Sequence, residues 1–304
     1  METCHLIVGD EDAGQRVDVF LAGHLDPSCS RSAVKRLIEQ GAVTVEGEKV
    51  APRCKVIAGQ RIIVERPDPR TAPDLPQPRE IFLDVLYEDA DIIAVNKPAG
   101  MLVHPVHGRG SETLVNALLA HCATLSDLNT AERPGIVHRL DRETSGVILA
   151  AKHNEAHFHL AKQFEKHRVR KKYIALVKGK MELNEGVIEA PLARHSRYFD
   201  KRAVSFSAPD ARPAKTYYRV LVRCGETATV AALFPKTGRT HQLRVHMKYI
   251  GHPILGDDKY GNPRSFSRLA LHAQAVAFKH PVRRAWMEIT APLPDEFLKM
   301  KTPA

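Results

Sequence analysis

No Cys-x-x-Cys pair occurs in the 304 residues. The cysteines, Cys4, Cys29, Cys54, Cys122 and Cys224, are odd in number and widely spaced. This excludes a zinc ribbon and a disulfide framework, and free thiols point to a reducing compartment. No apolar run approaches the length of a membrane span. The first residues are polar and turn acidic by Asp12, unlike a signal peptide. A cytoplasmic protein without a membrane partner is expected. There is also no glycine-rich nucleotide-binding loop, no internal repeat and no cluster with metal-ligand spacing. His241 and His246 come nearest to a metal pair, but their spacing fits no usual pattern and no carboxylate completes it. Neither a metal nor a cofactor is expected.

What is present is a basic, globular chain. Hydrophobic residues make up 43% of it, an ordinary value for a folded protein. The formal net charge is +10, which suggests a polyanionic partner, nucleic acid before membrane.

Prolines 67, 69, 73, 76 and 78 divide the chain. They forbid helix and sheet ladders, so residues 67–79 read as an extended linker. Before it, residues 12–66 form a small module. Val17, Phe20, Leu21 and Leu25 recur at helical spacing. Ser30 can cap a second helix that buries Val34, Leu37 and Ile38 and stops at Gly41. Arg31, Lys35 and Arg36 lie off that buried stripe and are candidate nucleic-acid contacts, though a merely solvated face has the same pattern. Short strands follow at 43–45 and 61–65.

The large domain spans 80–295. Residues 81–87 and 92–96 read as adjacent strands, and 111–122 and 153–167 as helices, the latter carrying Phe158, Ala161 and Phe164. Residues 172–178, 186–189, 214–223, 227–234, 241–247 and 286–290 are strand-like. The expected class is α+β, with few helices around a mixed or antiparallel sheet.

Three stretches carry candidate chemistry. In Gly135–Lys152, β-rich runs at 136–138 and 147–151 flank a loop that holds Asp141 between Arg139 and Arg142. A carboxylate among arginines can stay ionised and be aimed at a ligand; a surface ion pair on a solvated loop fits the same local pattern. Tyr173 lies on a strand after the basic cluster Lys166, Arg168, Arg170, Lys171 and Lys172. It can stack on a base or cover a sheet edge. Lys236–His246 offers many donors within a few residues, and 241–247 can continue as strand or short helix.

His138-Arg139-Leu140-Asp141 with Thr144-Ser145-Gly146 resembles the catalytic motif of the RluA family of RNA pseudouridine synthases. Lys171–Gly179 and Lys236–His246 are similar to two further motifs of that family, in the expected order. The resemblance implies that Asp141 is the nucleophile, that Tyr173 lies against the target base and that Arg244 pairs with Asp141. It implies substrate contacts from His138, Arg139, Arg239, His241, Gln242 and Leu271, with Arg239 alternatively a loop brace. Lys171 and Lys172 join the RNA contacts. Asn96–Pro105 also matches, with Lys97 and His104 as possible RNA contacts or simply a proline-shaped turn. Gly251–Asp257 and Leu269–Ala273 are family-like too. The N-terminal module looks like the RNA-binding module first described in the fourth protein of the small ribosomal subunit.

The expected activity is isomerisation of uridine to pseudouridine in structured RNA. Large-subunit ribosomal RNA is the first candidate and transfer RNA the second. A non-catalytic RNA-binding or ribosome-assembly factor is the alternative from another class. Nothing in the sequence requires a partner chain, and a monomer is expected.

Overall fold

The computed structural model describes residues 2–25, 31–66, 75–105 and 112–298. They form two compact units that divide between Leu75 and Pro76.

In the first unit, β1 (Glu2–Ile7) precedes α1 (Val17–His24) and α2 (Arg31–Glu39). Strands β2 (Val43–Val45), β3 (Glu48–Lys49) and β4 (Arg61–Arg66) follow. The sheet runs β1-β4-β2-β3, antiparallel throughout. Phe20 and Leu21 of α1 and Val34 and Ile38 of α2 pack on Val43, Ile62 and Val64. This is the helical stripe expected from the sequence, closing over a small sheet. Strand β1 was not foreseen: its partner lies more than fifty residues on, and pairing at that range leaves no local signal. Ser30, the expected cap, and residues 67–74 of the linker lie outside the described residues.

The second unit starts with an irregular stretch bound to the rest. Asn116 accepts from the N–H of Arg79 through its carbonyl and donates its side-chain amide to the carbonyl of Gln77. These bonds explain why the unit begins a few residues before 80. The elements are β5 (Val85–Glu88), β6 (Ile92–Lys97), α3 (Leu114–His121), β7 (Ser145–Ala151), α4 (Asn154–Glu165) and β8 (Arg170–Lys178). Then come β9 (Glu185–Glu189), β10 (Leu192–Arg194), β11 (Arg202–Val204), β12 (Lys215–Cys224) and β13 (Ala228–Pro235). The last are α5 (Gln242–Tyr249), β14 (Leu271–Lys279), β15 (Trp286–Thr290) and α6 (Asp295–Leu298).

Nine strands form a sheet, eight of them in the order β5-β6-β7-β14-β8-β13-β12-β9 and the ninth, β15, paired with β14 off that path. All pairs are antiparallel except β7 with β14, so the sheet is mixed. One edge of β14 pairs with β8; the other is shared between β7 at His272 and Ala273 and β15 from Ala275 onward. Strand β7 is buried at every residue, and its core neighbours on the two faces are different. Gly146, at φ +110°, lets β7 approach β14: a Cβ there would sit 2.2 Å from the carbonyl oxygen of Ala273.

Several local expectations change. Residues 81–84 form no strand, and Ile136 makes only an isolated bridge to Ala150. In α4 the buried positions are Ala156, His157 and Leu160, whereas Phe158 is exposed beneath the Lys162 ammonium. Residues 242–249 are helical, because Leu243 and Met247, one turn apart, share the core with Ile254 and Leu271.

Candidate active site

Asp141 stands on the turn just before β7. The turn closes with the N–H of Thr144 donating to the Asp141 carbonyl at 3.1 Å. The loop is pinned from below by Lys97, which is fully buried. Its Nζ donates to the carbonyls of Pro98 (2.7 Å), Met101 (2.9 Å) and Arg142 (3.0 Å). Lys97 is therefore a brace and has no exposed face for RNA. His104 is buried too, and burial pushes its imidazole down to about 4.

A cleft of about 480 Å³ opens above Asp141. His138, Arg139, Leu140 and Asp141 supply one wall. Lys171 and Tyr173 of β8, with Leu271 at the start of β14, supply the floor. The loop from Thr237 to His241 and the first turn of α5 close the far side. The structure thus gathers all three motifs around one space. Lys172 is absent from the lining, because alternation along β8 puts it on the face opposite Lys171 and Tyr173.

Arg244 carries the electrostatics. It is almost wholly buried and faces three carboxylates. Nε donates to Asp257 Oδ2 at 2.8 Å, and Nη2 to Asp257 Oδ1 at 2.6 Å. Nη2 also reaches Asp258 Oδ1 at 2.8 Å. The remaining nitrogen, Nη1, lies 3.8 Å from Asp141 Oδ2. Arg244 thus does face Asp141, but its bidentate partner is Asp257. Hydrogen bonding and charge from Asp257, with the charges of Asp141 and Asp258, outweigh desolvation and raise the guanidinium above its already high pKa. Asp257 is fully buried and also accepts from the N–H groups of Lys259 and Tyr260. The preceding Gly256, at φ +69°, admits no side chain: a Cβ would collide with the Arg268 carbonyl.

Tyr173 presents a neutral ring. Burial and the nearby Asp141 charge raise its phenol pKa well above the usual value, so it stays protonated. His138 turns its polarity inward. Its Nε2 accepts from the N–H of Leu149 at 2.9 Å, and its ring stacks on Phe164 at 4.5 Å. Burial pushes it down to about 3, so it lines the cleft as a neutral ring. Lys171, lowered to about 8 by burial, donates to the Thr237 carbonyl at 3.2 Å.

Gln242 is buried, and both ends of its amide are engaged. Its oxygen accepts from Thr237 Oγ1 and the Arg239 N–H; its nitrogen donates to the Lys215 carbonyl and Thr216 Oγ1. It braces the loop from within. Arg239 is exposed and donates from Nε to the Pro213 carbonyl at 3.2 Å. His241, in the left-handed region, has Nδ1 2.9 Å from Tyr260 Oη. His246 spends both ring nitrogens on Thr216 Oγ1 and the Ala190 carbonyl, so it does not join His241 as a ligand. Among the described residues, Asp89, Asp91 and His280 are close enough to share an ion. Asp89 already accepts from Tyr87 Oη and Arg283, however, and none of the three lines the cleft.

Sequence reasoning assigned no role to Asp257, Asp258, Tyr260 or Phe164. A usable signal was Gly256-Asp257-Asp258: a buried arginine needs a carboxylate, and these are the acids nearest in sequence after Arg244. In the small unit, Lys35 is exposed and pairs with Glu39 at 3.6 Å. The side chains of Arg31 and Arg36 lie outside the described residues.

The family model for RNA pseudouridylate synthase matches residues 91–249, and the S4 domain model matches residues 15–62. An uncharacterized RNA pseudouridine synthase of Bacillus subtilis is 39% identical over 99% of this chain and 97% of its own length. The ribosomal large subunit pseudouridine synthase D of Zymomonas mobilis is 39% identical over 97% of this chain and 96% of its own. The solved human RNA pseudouridylate synthase domain containing 1 superposes with a TM-score of 0.58 at 28% identity, covering 70% of this chain and 84% of that one. With every cleft residue but Leu271 inside the span of the family model, this chain belongs to the RNA pseudouridine synthases and carries an S4 RNA-binding domain at its N-terminus.

Proposed function

We propose that Asp141 is the nucleophile of this pseudouridine synthase and that its substrate is large-subunit ribosomal RNA. The observation that carries the first part is the free edge of Arg244. Asp257 fixes the guanidinium, and Nη1 is left 3.8 Å from the Asp141 carboxylate inside the cleft. The second part is supported by the relatives named as ribosomal large subunit synthases over nearly their whole length.

The reaction exchanges one bond for another. The bond between ribose C1′ and uracil N1 breaks, and one between C1′ and C5 forms. The proton on C5 is lost and N1 gains one, so the formula is unchanged. The carboxylate of Asp141 can attack C1′ as uracil leaves, or take the 2′ proton to give a glycal. Either route needs the base out of its stack, at a cost of a few kcal/mol. The neutral Tyr173 ring and Leu271 then hold the base from the floor of the cleft. Arg239 and Arg139, both exposed, stand at its rim for phosphates. The S4 domain, with Lys35 exposed, adds a second grip on RNA, and the protein works as a cytoplasmic monomer.

Pseudouridine mapping tests the substrate. Ribosomal and transfer RNA are compared from cells with and without the protein. Loss of pseudouridine confined to large-subunit ribosomal RNA is expected. Loss in transfer RNA alone overturns the ribosomal assignment.

A further inference from the structure

A second concavity of about 390 Å³ lies across α5 from the cleft. Its walls are Val245, Lys248 and Tyr249 of α5, the turn from His195 to Val204, and Lys259 and Tyr260. We propose that this groove binds an unpaired nucleotide of the RNA that flanks the target uridine. The inference rests on the chain being an RNA-modifying enzyme and extends its substrate contacts beyond the cleft.

The lining has the chemistry of a single-stranded nucleic-acid site. His195, Lys201, Arg202, Lys248 and Lys259 line it, and no carboxylate does. The nearest acids are already paired: Asp200 with Lys259, which offsets that one cation of the groove, and Asp258 with Arg244. Two tyrosines stand open, Tyr198 at 48% and Tyr249 at 54% exposure. Exposed aromatic rings amid cations are what an unstacked base and its phosphate require. A duplex would offer phosphates but no free base face. The volume also falls within the range of small-ligand pockets.

The groove is built rather than incidental. His195 Nδ1 accepts from the N–H groups of Arg197 and Tyr198, which sets the turn. The Arg202 N–H donates to Tyr260 Oη at 2.7 Å, and Lys201 Nζ donates to the Lys259 carbonyl at 3.0 Å. Tyr260 of the groove touches two residues of the cleft. Its hydroxyl meets His241 of the cleft at 2.9 Å, and its ring lies 5.2 Å from the Arg244 guanidinium. Helix α5 thus offers Leu243 and Arg244 to the cleft and Val245, Lys248 and Tyr249 to the groove. A helix is about 10–12 Å across with its side chains, a gap that a short unpaired strand can bridge.

The test uses the full chain and total RNA from cells lacking the protein, which contains the unmodified substrate whatever its identity. Binding and single-turnover pseudouridine formation are measured for wild type, Lys248→Ala, Tyr249→Ala and the control Lys180→Ala. Lys248 and Tyr249 are exposed, so thermal melting should match wild type. Each groove variant should raise the RNA concentration for half-saturation by about tenfold, with the saturating rate within about twofold. Lys248→Ala should also lower the salt slope of binding by about one. Lys180 pairs with Glu226 and lines neither the cleft nor the groove, so Lys180→Ala should change neither. If both groove variants bind like wild type, the groove is not an RNA site. If only Lys248→Ala weakens binding, a duplex phosphate is held and the unpaired-nucleotide assignment falls. RNA that binds wild-type protein but gains no pseudouridine would instead overturn the catalytic reading, while the groove is judged on binding alone.

Discussion

At the scale of single residues, the site depends on how one arginine is divided. Arg244 gives two nitrogens to Asp257 and Asp258 and turns the third toward Asp141. Lysine would keep the charge but could not hold this planar fork. Arg244→Lys should lower the single-turnover rate by about a hundredfold, because small misplacements at a reacting centre have effects of that order. RNA affinity should stay within about threefold. Turnover near wild type would show that Arg244 does not position Asp141. The residues of this arrangement were only partly legible. Asp141, Tyr173 and Arg244 stand in distinctive strings, so their convergence was foreseen. The partnership with Asp257 was not, because a buried ion pair is set by tertiary contact, and Asp257 sits in a stretch without helical or strand periodicity. The resemblance implied a substrate contact for Gln242; only packing reveals that both ends of its amide are already engaged.

At the scale of elements, close backbone approach governs the centre of the sheet. Strands β7 and β14 pair over only two residues, and Gly146 is one of them. Gly146→Ala would force a Cβ against the Ala273 carbonyl from a left-handed conformation. The expected loss of stability is about 3 kcal/mol or more, read from the urea midpoint of full-length protein. A loss under about 1 kcal/mol would mean that β7 and β14 can separate without penalty. Strand β14 itself escaped the sequence reading, although Leu271, Ala273, Ala275 and Ala277 alternate along it. Its small alanines give a weak periodic signal. At α5 the sequence left strand and short helix both open, and the structure takes the helix. The alternation of apolar Leu243, Val245 and Met247 imitates a strand, yet the Leu243–Met247 face packs as a helix. Period alone cannot separate the two in so short a run.

At the scale of the whole molecule, the two units have separate cores. Residues 76–304 alone should therefore fold and retain pseudouridine formation at saturating RNA. Their RNA binding should be weaker and less salt-dependent than that of the full chain, because S4-domain contacts are gone. An unchanged salt slope would show that the S4 domain binds something other than RNA. The large unit also has a defined acid response. Burial pushes His104 and His272 down to about 4, whereas an unfolded imidazole titrates near about 6.5. Between these values the unfolded chain binds protons that the folded chain does not. Stability should therefore fall as pH falls through that window. Replacing both with glutamine should flatten the slope of melting temperature against pH from 6.5 to 4; parallel slopes would mean that neither histidine is held neutral. The +10 charge, read at the outset as a sign of a polyanion, is consistent with an enzyme that grips RNA through both units.

The central claim is the role of Asp141, and single-turnover kinetics on full-length Asp141→Asn tests it most directly. The change keeps the side chain's size and removes only the charge and nucleophilicity of the carboxylate. With total RNA from cells lacking the protein, Asp141→Asn should bind within about threefold of wild type and form no detectable pseudouridine. Pseudouridine formation at a rate within about tenfold of wild type would contradict the assignment of Asp141 as the nucleophile.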